Sequence, residues 1–239
     1  MTNAPVIYLT RPEGENESLA AILGEYDTRI HPLIKLSALE VSPSMRKAAQ
    51  DLDQVDKLIF VSKSAVRFTM PLLDGFWPQW QVTTAWFAVG SGTAEELAPY
   101  GIPAAYPEMP GSEGLLALEA LQDVAGMRVV IVRGKGGRAL ISEELTRRGA
   151  DVSYLETYER QPVEDPAFAD LPTGAIVVVT SIEILQALIT SAGAALGQAR
   201  LVTASERIES AARVEGLHSV RNAGGASDQA LYDAIVDWR

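Results

Sequence analysis

The stretch VVIVRGKGGRALISEELTRRGADVSYL, Val129–Leu155, decides the fold class of this chain. Its pattern predicts a strand, a polar loop, a helix, a turn and a second strand. The same order is predicted for VIYLTRPEGENESLAAILGEYDTRIHPL, Val6–Leu33. Alternation of short apolar strands with amphipathic helices predicts an α/β protein with parallel sheets covered on both faces.

These two segments begin two copies of one larger pattern. Leu23 aligns with Leu145, and two further pairs of segments follow in the same order. Buried parallel strands resemble one another because all are rich in Val, Ile and Leu. Such general similarity, the alternative to duplication, explains poorly an ungapped alignment that starts at Gly90. This alignment pairs Ser112-Glu113 with Ser227-Asp228, and each pair is predicted to begin a helix with Ser as N-cap. The further pairs are LIFVSKSAV (58–66) with VVVTSIEIL (177–185), and FAVGSGTAEELAPYGI (87–102) with VTASERIESAARVEGL (202–217).

The duplication predicts two similar domains with the working site in the cleft between them. The 239 residues and 47% hydrophobic content are enough for two cores. From the repeat alone, the domain boundary is expected near Gly126, between the copies.

Composition excludes several classes of function. The net charge of −11 argues against binding of nucleic acid or anionic membranes through the mean field of the molecule. No apolar run approaches the roughly 18 to 20 residues of a membrane span, and the start MTNAPVIYLT lacks a basic and apolar leader, so a cytoplasmic location is expected. The chain has no cysteine, which excludes disulfides, thiolate catalysis and zinc sites built on Cys.

The predicted carboxyl ends of the strands share one chemistry, and ligands of open α/β sheets bind at these ends. Hydroxyl groups or glycines open a following helix, whose free N–H groups favour anions, and Arg or Lys stands beside them. The alternative is that these charges are merely solvated. The candidate anion-binding residues are Thr10, Arg11, Ser62, Lys63, Ser64, Gly90, Ser91, Gly92, Thr93, Arg133, Gly134, Lys135, Thr180, Ser181, Ser205 and Arg207, with Arg138 nearby.

Familiar cofactor and catalytic motifs are absent from the sequence. GSGTAE at Gly90 lacks the third glycine of a dinucleotide fingerprint, and RGKGGR at Arg133 lacks the Gly-Lys-Ser/Thr of a phosphate-binding loop. No HExxH motif or recognisable metal cluster occurs, and His31 and His218 lie in or beside predicted strands, where structural roles are expected. The prediction is an anion-binding cleft with no cofactor and no metal.

The chain resembles the uroporphyrinogen-III synthase family over essentially its whole length. No single segment is specific, but their ordered set is. The segments are LTRP at Leu9, FVSKSAV at Phe60, AVGSGTAEEL at Ala88, PGSEGLLAL at Pro110, VVIVRGKGGRALISEELTRRGADV at Val129, TYER at Thr157, VVVTS at Val177 and GGASDQALYDAI at Gly224.

The resemblance implies a different division of the chain. In that fold the first strand and helix pack with the carboxy-terminal segment. The implied domains are flavodoxin-like, one of residues 1–36 plus 163–239 and the other of 40–157. Linker strands at about 34–42 and 155–163 join them.

The implied reaction closes the linear tetrapyrrole hydroxymethylbilane into uroporphyrinogen III. The hydroxymethyl group leaves as water, the last ring attacks through its substituted carbon, and a spiro intermediate fragments and recloses with ring D inverted. The enzyme would be a cyclising hydro-lyase of haem and sirohaem biosynthesis, acting as a monomer. The scheme includes a transient hand-off of the substrate from hydroxymethylbilane synthase. Eight substrate carboxylates would account for strand ends rich in donors in an acidic protein.

The resemblance also assigns a catalytic residue. The tyrosine near the second linker of the family falls on Tyr158, with Tyr154 as a competitor. The repeat aligns Tyr158 with Leu36, so the shared scaffold does not require the phenol. A phenol is protonated at neutral pH, as a proton donor to the leaving hydroxyl must be.

One loop departs from the family pattern. The family's first threonine matches Thr93, but its counterpart in the second copy is Ile208, where other members carry Gly-Pro-Thr-Thr. Ser205 and Arg207 are the expected substitutes.

An alternative function uses the same residues without Tyr158. A two-lobed, non-catalytic module could close on a polyanionic metabolite and signal through hinge motion.

Overall fold

The computed structural model describes residues 5–77 and 83–238, and the chain divides into two compact units. Unit 1 is formed by Met1–Leu36 and Arg160–Arg239, and unit 2 by Ser37–Glu159. Gly126 lies inside unit 2. The units therefore do not coincide with the two copies of the repeat.

The elements alternate along the chain as the sequence pattern predicts. The strands are β1 (Ile7–Leu9), β2 (Thr28–Ile30), β3 (Ile34–Ala38), β4 (Lys57–Phe60), β5 (Ala85–Ala88), β6 (Arg128–Gly134), β7 (Asp151–Pro162), β8 (Ile176–Val179), β9 (Arg200–Thr203) and β10 (Val220–Asn222). The helices are α1 (Glu17–Leu23), α2 (Pro43–Gln50), α3 (Lys63–Asp74), α4 (Ser91–Leu97), α5 (Ser112–Ala117), α6 (Leu140–Arg147), α7 (Ile182–Ala192), α8 (Glu206–Val214) and α9 (Asp228–Val236).

Unit 1 contains a parallel sheet in the order β10-β9-β8-β1-β2. Numbered within the unit, this is the 2-1-3-4-5 order of flavodoxin-like folds, which confirms the predicted fold class. Both faces are buried: Tyr8 and Val177 contribute to one core cluster, whereas Ile7, Leu9 and Val178 contribute to the other. Alternate residues of a strand point to opposite faces, so a strand covered on both sides must be apolar throughout.

Unit 2 has the sheet order β3-β7-β6-β4-β5. Beyond β5, Phe87 forms a parallel bridge to Ala105. The order β7-β6-β4-β5 matches β2-β1-β8-β9 of unit 1, but β6 and β7 come last in unit 2 whereas β1 and β2 come first in unit 1. The unit boundaries fall inside β3 and β7, so these two strands carry the chain from one unit to the other.

The strand registers support the duplication. In unit 1, Ile176 pairs with Ile7 on one side and Arg200 on the other. In unit 2, the aligned residue Lys57 pairs with Val129 and Ala85, the aligned partners of Ile7 and Arg200. Each unit therefore combines the first βαβ segment of one copy with the later strands of the other copy.

Helix starts follow the predicted capping with one exception. Ser227 is the N-cap of α9, and its Oγ accepts a hydrogen bond from the backbone N–H of Ala230. Ser112 is not a cap, because it is already the first residue of α5 and Gly111 occupies the N-cap with φ +122°. A residue with positive φ is most easily supplied by glycine, which explains why the cap shifts by one position.

Among the helices of residues 5–77 and 83–238, none combines the length and apolar character needed to cross a membrane.

Candidate active site

Tyr158 is a fully buried phenol in β7. Its ring stacks on that of Phe68 in α3, with the ring centroids 5.1 Å apart and an interplanar angle of 19°. On the β6 side, Tyr158 pairs with Gly134 at a shift of register. A Cβ atom on Gly134 would lie 2.7 Å from two ring carbons, so only glycine leaves room for the phenol.

Ser62 connects this phenol to the carboxyl end of β4. Its Oγ lies 3.1 Å from Tyr158 Oη. Ser62 is also the N-cap of α3, where Oγ accepts a hydrogen bond of 3.0 Å from the N–H of Ala65. The residue is half-buried, whereas Ser64, two positions on, is buried. Because Tyr158 is fully buried, Ser62 is the more accessible of the two residues whose hydroxyls lie 3.1 Å apart.

Lys63 is an exposed cation in the first turn of α3. Its side chain crosses Gly92 in α4: a Cβ atom on Gly92 would lie 2.8 Å from Lys63 Cε and 3.4 Å from Nζ. Within the described residues, its ammonium has no hydrogen bond or ion pair. A cation at the positive end of a helix dipole is unfavourable for the helix. The position of Lys63 therefore favours binding of an anionic ligand, although it does not stabilise α3.

The turn before α4 supplies mainly backbone. Gly90 is the N-cap in extended conformation, and a Cβ there would approach Pro110 Cβ to 3.2 Å. Ser91 is exposed at the first helical position, whereas Thr93 is buried and its N–H donates to Gly90 O at 3.1 Å.

Arg133 folds back onto its own loop. Its guanidinium is almost fully buried, donating to Gly134 O and to Arg138 O, each at 3.2 Å. Gly137 has φ +101°, and a Cβ there would lie 2.2 Å from Arg133 Nη2. The guanidinium also lies 4.8 Å from the ring centroid of Tyr154. Arg133 therefore shapes the loop from inside.

The other cations of this loop face outward. The side chains of Lys135 and Arg138 are exposed, and neither has a side-chain partner in the described part of the chain. The backbone N–H of Lys135 donates to the carbonyl oxygen of Tyr158 at 2.7 Å, which ties the loop to the strand that carries the phenol.

Arg11 makes the corresponding arrangement in unit 1. Its guanidinium lies 2.6 Å from the carboxylate of Asp228 and 2.7 Å from Ala226 O. The neighbouring Thr10 is buried, with its hydroxyl donating to Val178 O. These contacts hold the loop after β1 against the start of α9, so Arg11 has a structural role within the unit.

The remaining candidates lie at the strand ends of unit 1. Ser181 is half-buried and caps α7, accepting from the N–H of Ile184 at 3.1 Å, next to the half-buried Thr180. Ser205 is the N-cap of α8 without a side-chain cap bond, and Arg207 is exposed without a side-chain partner among the described residues. Ile208, at the position aligned with Thr93, is buried in the core of the unit.

The structure thus groups one part of the predicted set. Tyr158, Ser62, Lys63, Gly92 and Gly134 are linked in unit 2 by the contacts above, whereas Thr10, Arg11, Thr180, Ser181, Ser205 and Arg207 belong to unit 1. The sequence analysis missed Phe68. It could have been noticed because it follows Ser62 in the amphipathic helix α3.

Tyr154 differs from Tyr158 in its surroundings. It is 43% exposed, and its hydroxyl contacts Ser142 Oγ.

A metal ion would need several clustered ligands, and no group of three or more His, Asp or Glu in the described residues could hold one.

Fold and site together define a two-unit, flavodoxin-like α/β protein with a hydroxyl- and cation-bearing strand edge. A sequence profile described as uroporphyrinogen-III synthase HemD matches residues 18–233. The uroporphyrinogen-III synthases of Salmonella typhimurium and Escherichia coli are each 34% identical to the chain over 244 residues, covering 96% of this chain and 99% of theirs. This chain belongs to the uroporphyrinogen-III synthase family.

Solved structures share the fold at lower identity. The uroporphyrinogen-III synthetase of Helicobacter pylori has a TM-score of 0.67 at 16% identity, covering 99% of this chain and 100% of that one. A mutant uroporphyrinogen III synthase of Thermus thermophilus gives 0.60 at 17% identity, with the same coverage.

Proposed function

We propose that this chain is an enzyme that converts hydroxymethylbilane into uroporphyrinogen III in tetrapyrrole biosynthesis. The observation that carries the proposal is 34% identity to two uroporphyrinogen-III synthases over 96% of the chain. The reaction removes water and closes a ring, so the enzyme is classed as a lyase. Ring D is inverted through a spiro intermediate.

The substrate is a polycarboxylate, and the strand edges offer groups for it. Lys63, Lys135 and Arg138 are exposed at the edge of unit 2, and Arg207 at that of unit 1. Their positive charge is local in a chain of net charge −11. Exposed donors at helix starts favour carboxylates through both hydrogen bonds and the helix dipole. We assign these groups to holding the propionate and acetate arms.

Tyr158 is the proposed acid for the departing hydroxyl. The electron-rich pyrrole supplies most of the driving force for loss of water, so a weak acid is sufficient. The larger task of the enzyme is to hold the two ends of the linear tetrapyrrole in the geometry that yields inversion. Packing against Phe68 and Gly134 fixes the phenol within unit 2.

Product analysis tests the proposal directly. Purified protein is mixed with freshly prepared hydroxymethylbilane, the product is oxidised to the porphyrin, and the type I and type III isomers are separated chromatographically. Type III should dominate with active protein, and type I should dominate with heat-denatured protein, because spontaneous closure does not invert ring D. Formation of type I alone by native protein would reject the enzyme function. Saturable binding of the bilane without turnover would instead support the binding-module alternative.

A further inference from the structure

The burial of Tyr158 raises the question of how its proton reaches a substrate. None of the surface of this residue is exposed. The ring is held by the stack on Phe68 and by the close approach to Gly134, so a swing toward solvent would break both contacts. An acid held in this way needs a second group to carry the proton outward.

Ser62 has the position and the hydrogen-bonding capacity for that step. A hydroxyl has one hydrogen and two acceptor lone pairs. One lone pair of Ser62 Oγ accepts the N–H of Ala65, and the second can accept the phenolic hydrogen of Tyr158 across 3.1 Å. The hydrogen of Ser62 itself then remains for a group outside. Because Ser62 is half-buried at the carboxyl end of β4, it lies nearer to the edge where ligands of such sheets bind.

We propose that Ser62 relays the proton from Tyr158 to the leaving hydroxyl, an inference that rests on the proposed function. The pyrrole nitrogen donates its electron pair, the C–O bond of the hydroxymethyl group breaks, and its oxygen takes the hydrogen of Ser62. Ser62 Oγ simultaneously takes the hydrogen of Tyr158, so water leaves and a phenolate remains. The proton released from carbon when the last ring regains aromaticity returns through Ser62 to the phenolate. The net change is loss of one water, with no other reactant.

The repeat shows that capping alone does not account for this pair. Ser181 occupies the aligned position in unit 1 and caps α7 in the same way. The residue aligned with Tyr158 is Leu36, which packs against the core of unit 1. The scaffold therefore supplies the serine in both copies, whereas the phenol beside it is specific to unit 2.

The test separates relay from capping by three variants. Ser62→Asn keeps an acceptor for the Ala65 N–H but cannot exchange one proton for another, whereas Ser62→Thr keeps the hydroxyl. Tyr158→Phe removes the acid and keeps the stacked ring. Ser42→Ala serves as control because Ser42 caps α2 in the same unit, accepting from Met45 at 3.1 Å, and lies outside the proposed site. Turnover, KM, isomer ratio and thermal stability are measured for each variant and for Ser62→Asn combined with Tyr158→Phe.

The relay predicts a non-additive loss in turnover. Ser62→Asn and Tyr158→Phe each lower kcat by about ten- to a hundredfold. The kcat of the double variant is within about threefold of the kcat of the less active single variant. Ser62→Thr, which keeps the hydroxyl, retains more turnover than Ser62→Asn, and Ser42→Ala remains within about threefold of wild type. Near-wild-type turnover of either Ser62→Asn or Tyr158→Phe, or multiplicative losses in the double variant, would overturn the relay while leaving type III formation by wild type intact. Formation of type I alone by wild type would overturn the proposed function and the relay together.

Discussion

The carboxyl ends of β4 and β8 are aligned in the repeat but differ in chemistry. A serine follows each strand and caps the next helix, Ser62 in unit 2 and Ser181 in unit 1. The next residue is the exposed Lys63 in unit 2, but the partly buried Ile182, packed against the core, in unit 1. The shared serine belongs to the scaffold, whereas the cation and the nearby phenol occur in unit 2 and not at the aligned positions of unit 1. Comparison of the copies therefore separates residues that support the fold from those available for function.

The ends of β1 and β6 teach the opposite lesson. Arg11 and Arg133 are aligned, and both are largely buried with their guanidinium groups bonded inside their own unit, Arg11 to the start of α9 and Arg133 to its own loop. Agreement between the copies here indicates a structural device. Four experiments below test this division between shared support and unequal chemistry.

The largest effect is expected from Gly134→Ala. The added methyl group would lie 2.7 Å from the Tyr158 ring, so β6 or the phenol must move. Overpacking of this kind lowers the free energy of unfolding by about 1–3 kcal/mol, and displacement of the acid should lower turnover more than tenfold. Urea unfolding and isomer-resolved assays measure the two effects. Gly197→Ala is the control, because a Cβ there meets no atom within 4 Å. Equal behaviour of the two variants would contradict the proposed crowding.

Arg11→Ala is expected to have the next largest effect, because it should lower stability without displacing the proposed acid. The substitution leaves Asp228 and Ala226 O without the guanidinium that now contacts both. Hydrogen bonds to charged groups predict a loss of about 1.5–3 kcal/mol in the free energy of unfolding. Arg29→Ala is the comparison in the same unit, since its pair with Asp27 is exposed, and it should have little effect. An unchanged stability of Arg11→Ala, with substrate affinity lost instead, would support the predicted role of Arg11 in anion binding.

Lys63→Gln should weaken substrate binding without weakening the fold. Removal of an exposed cation near a polycarboxylate predicts a rise in KM of about three- to tenfold at low salt, which shrinks as salt screens the charge. Lys57→Gln makes the same change in net charge at the opposite end of β4, where the ammonium lies 5.5 Å from the ring centroid of Phe87. KM is measured for both across a salt series. A salt-independent KM equal to that of wild type would show that Lys63 is merely solvated.

The smallest effect concerns acid stability and compares one carboxylate in each unit. Burial raises the pKa of Asp165, but the N–H of Ala167 and the contact with His31 outweigh it, so the pKa lies below its usual value. In unit 2, hydrogen bonds from Arg147 and Arg148 lower the pKa of Glu144 to about 2. A lowered folded-state pKa gives stability that is present above the unfolded-state pKa of about 4 and is lost as pH falls through the folded-state value.

Asp165→Asn and Glu144→Gln should therefore be less stable than wild type near neutral pH. Each difference should close as pH falls below about 4. Urea unfolding from about pH 2 to pH 7 measures this dependence. A difference that does not change with pH would assign the effect to lost packing rather than to the charge.

Much of the fold follows from local pattern. The apolar runs at Ile176–Val179 and Arg128–Gly134 form strands, and Ser62, Ser181 and Ser227 cap helices where the sequence predicts helix starts. The aligned blocks reappear as matched strand registers. Ser112 is the exception, because the adjacent Gly111 can adopt the positive φ that the turn requires.

Side-chain roles at the strand ends follow less directly. By residue type, Arg11 and Lys63 are equally good candidates for binding an anion. In the structure, however, Arg11 contacts Asp228, more than two hundred residues away, whereas Lys63 is exposed to solvent. Burial of a charge depends on partners from distant parts of the chain, and no local spacing specifies them. The same holds for Tyr158, which the repeat singles out but whose contact with Ser62 arises only in the folded unit.

The sequence by itself therefore determined the kinds of elements, their duplication and the chemistry of the strand ends, because apolar periodicity and capping act within a few residues. Tertiary structure decided which copy of the βαβ segment joins which sheet, so that Val6–Leu33 lies in unit 1 while Gly126 lies in unit 2. It also decided that the phenol of Tyr158 is buried under Gly134. Parallel strands of similar composition can pair with either copy, and only the long-range packing of the sheets selects one arrangement.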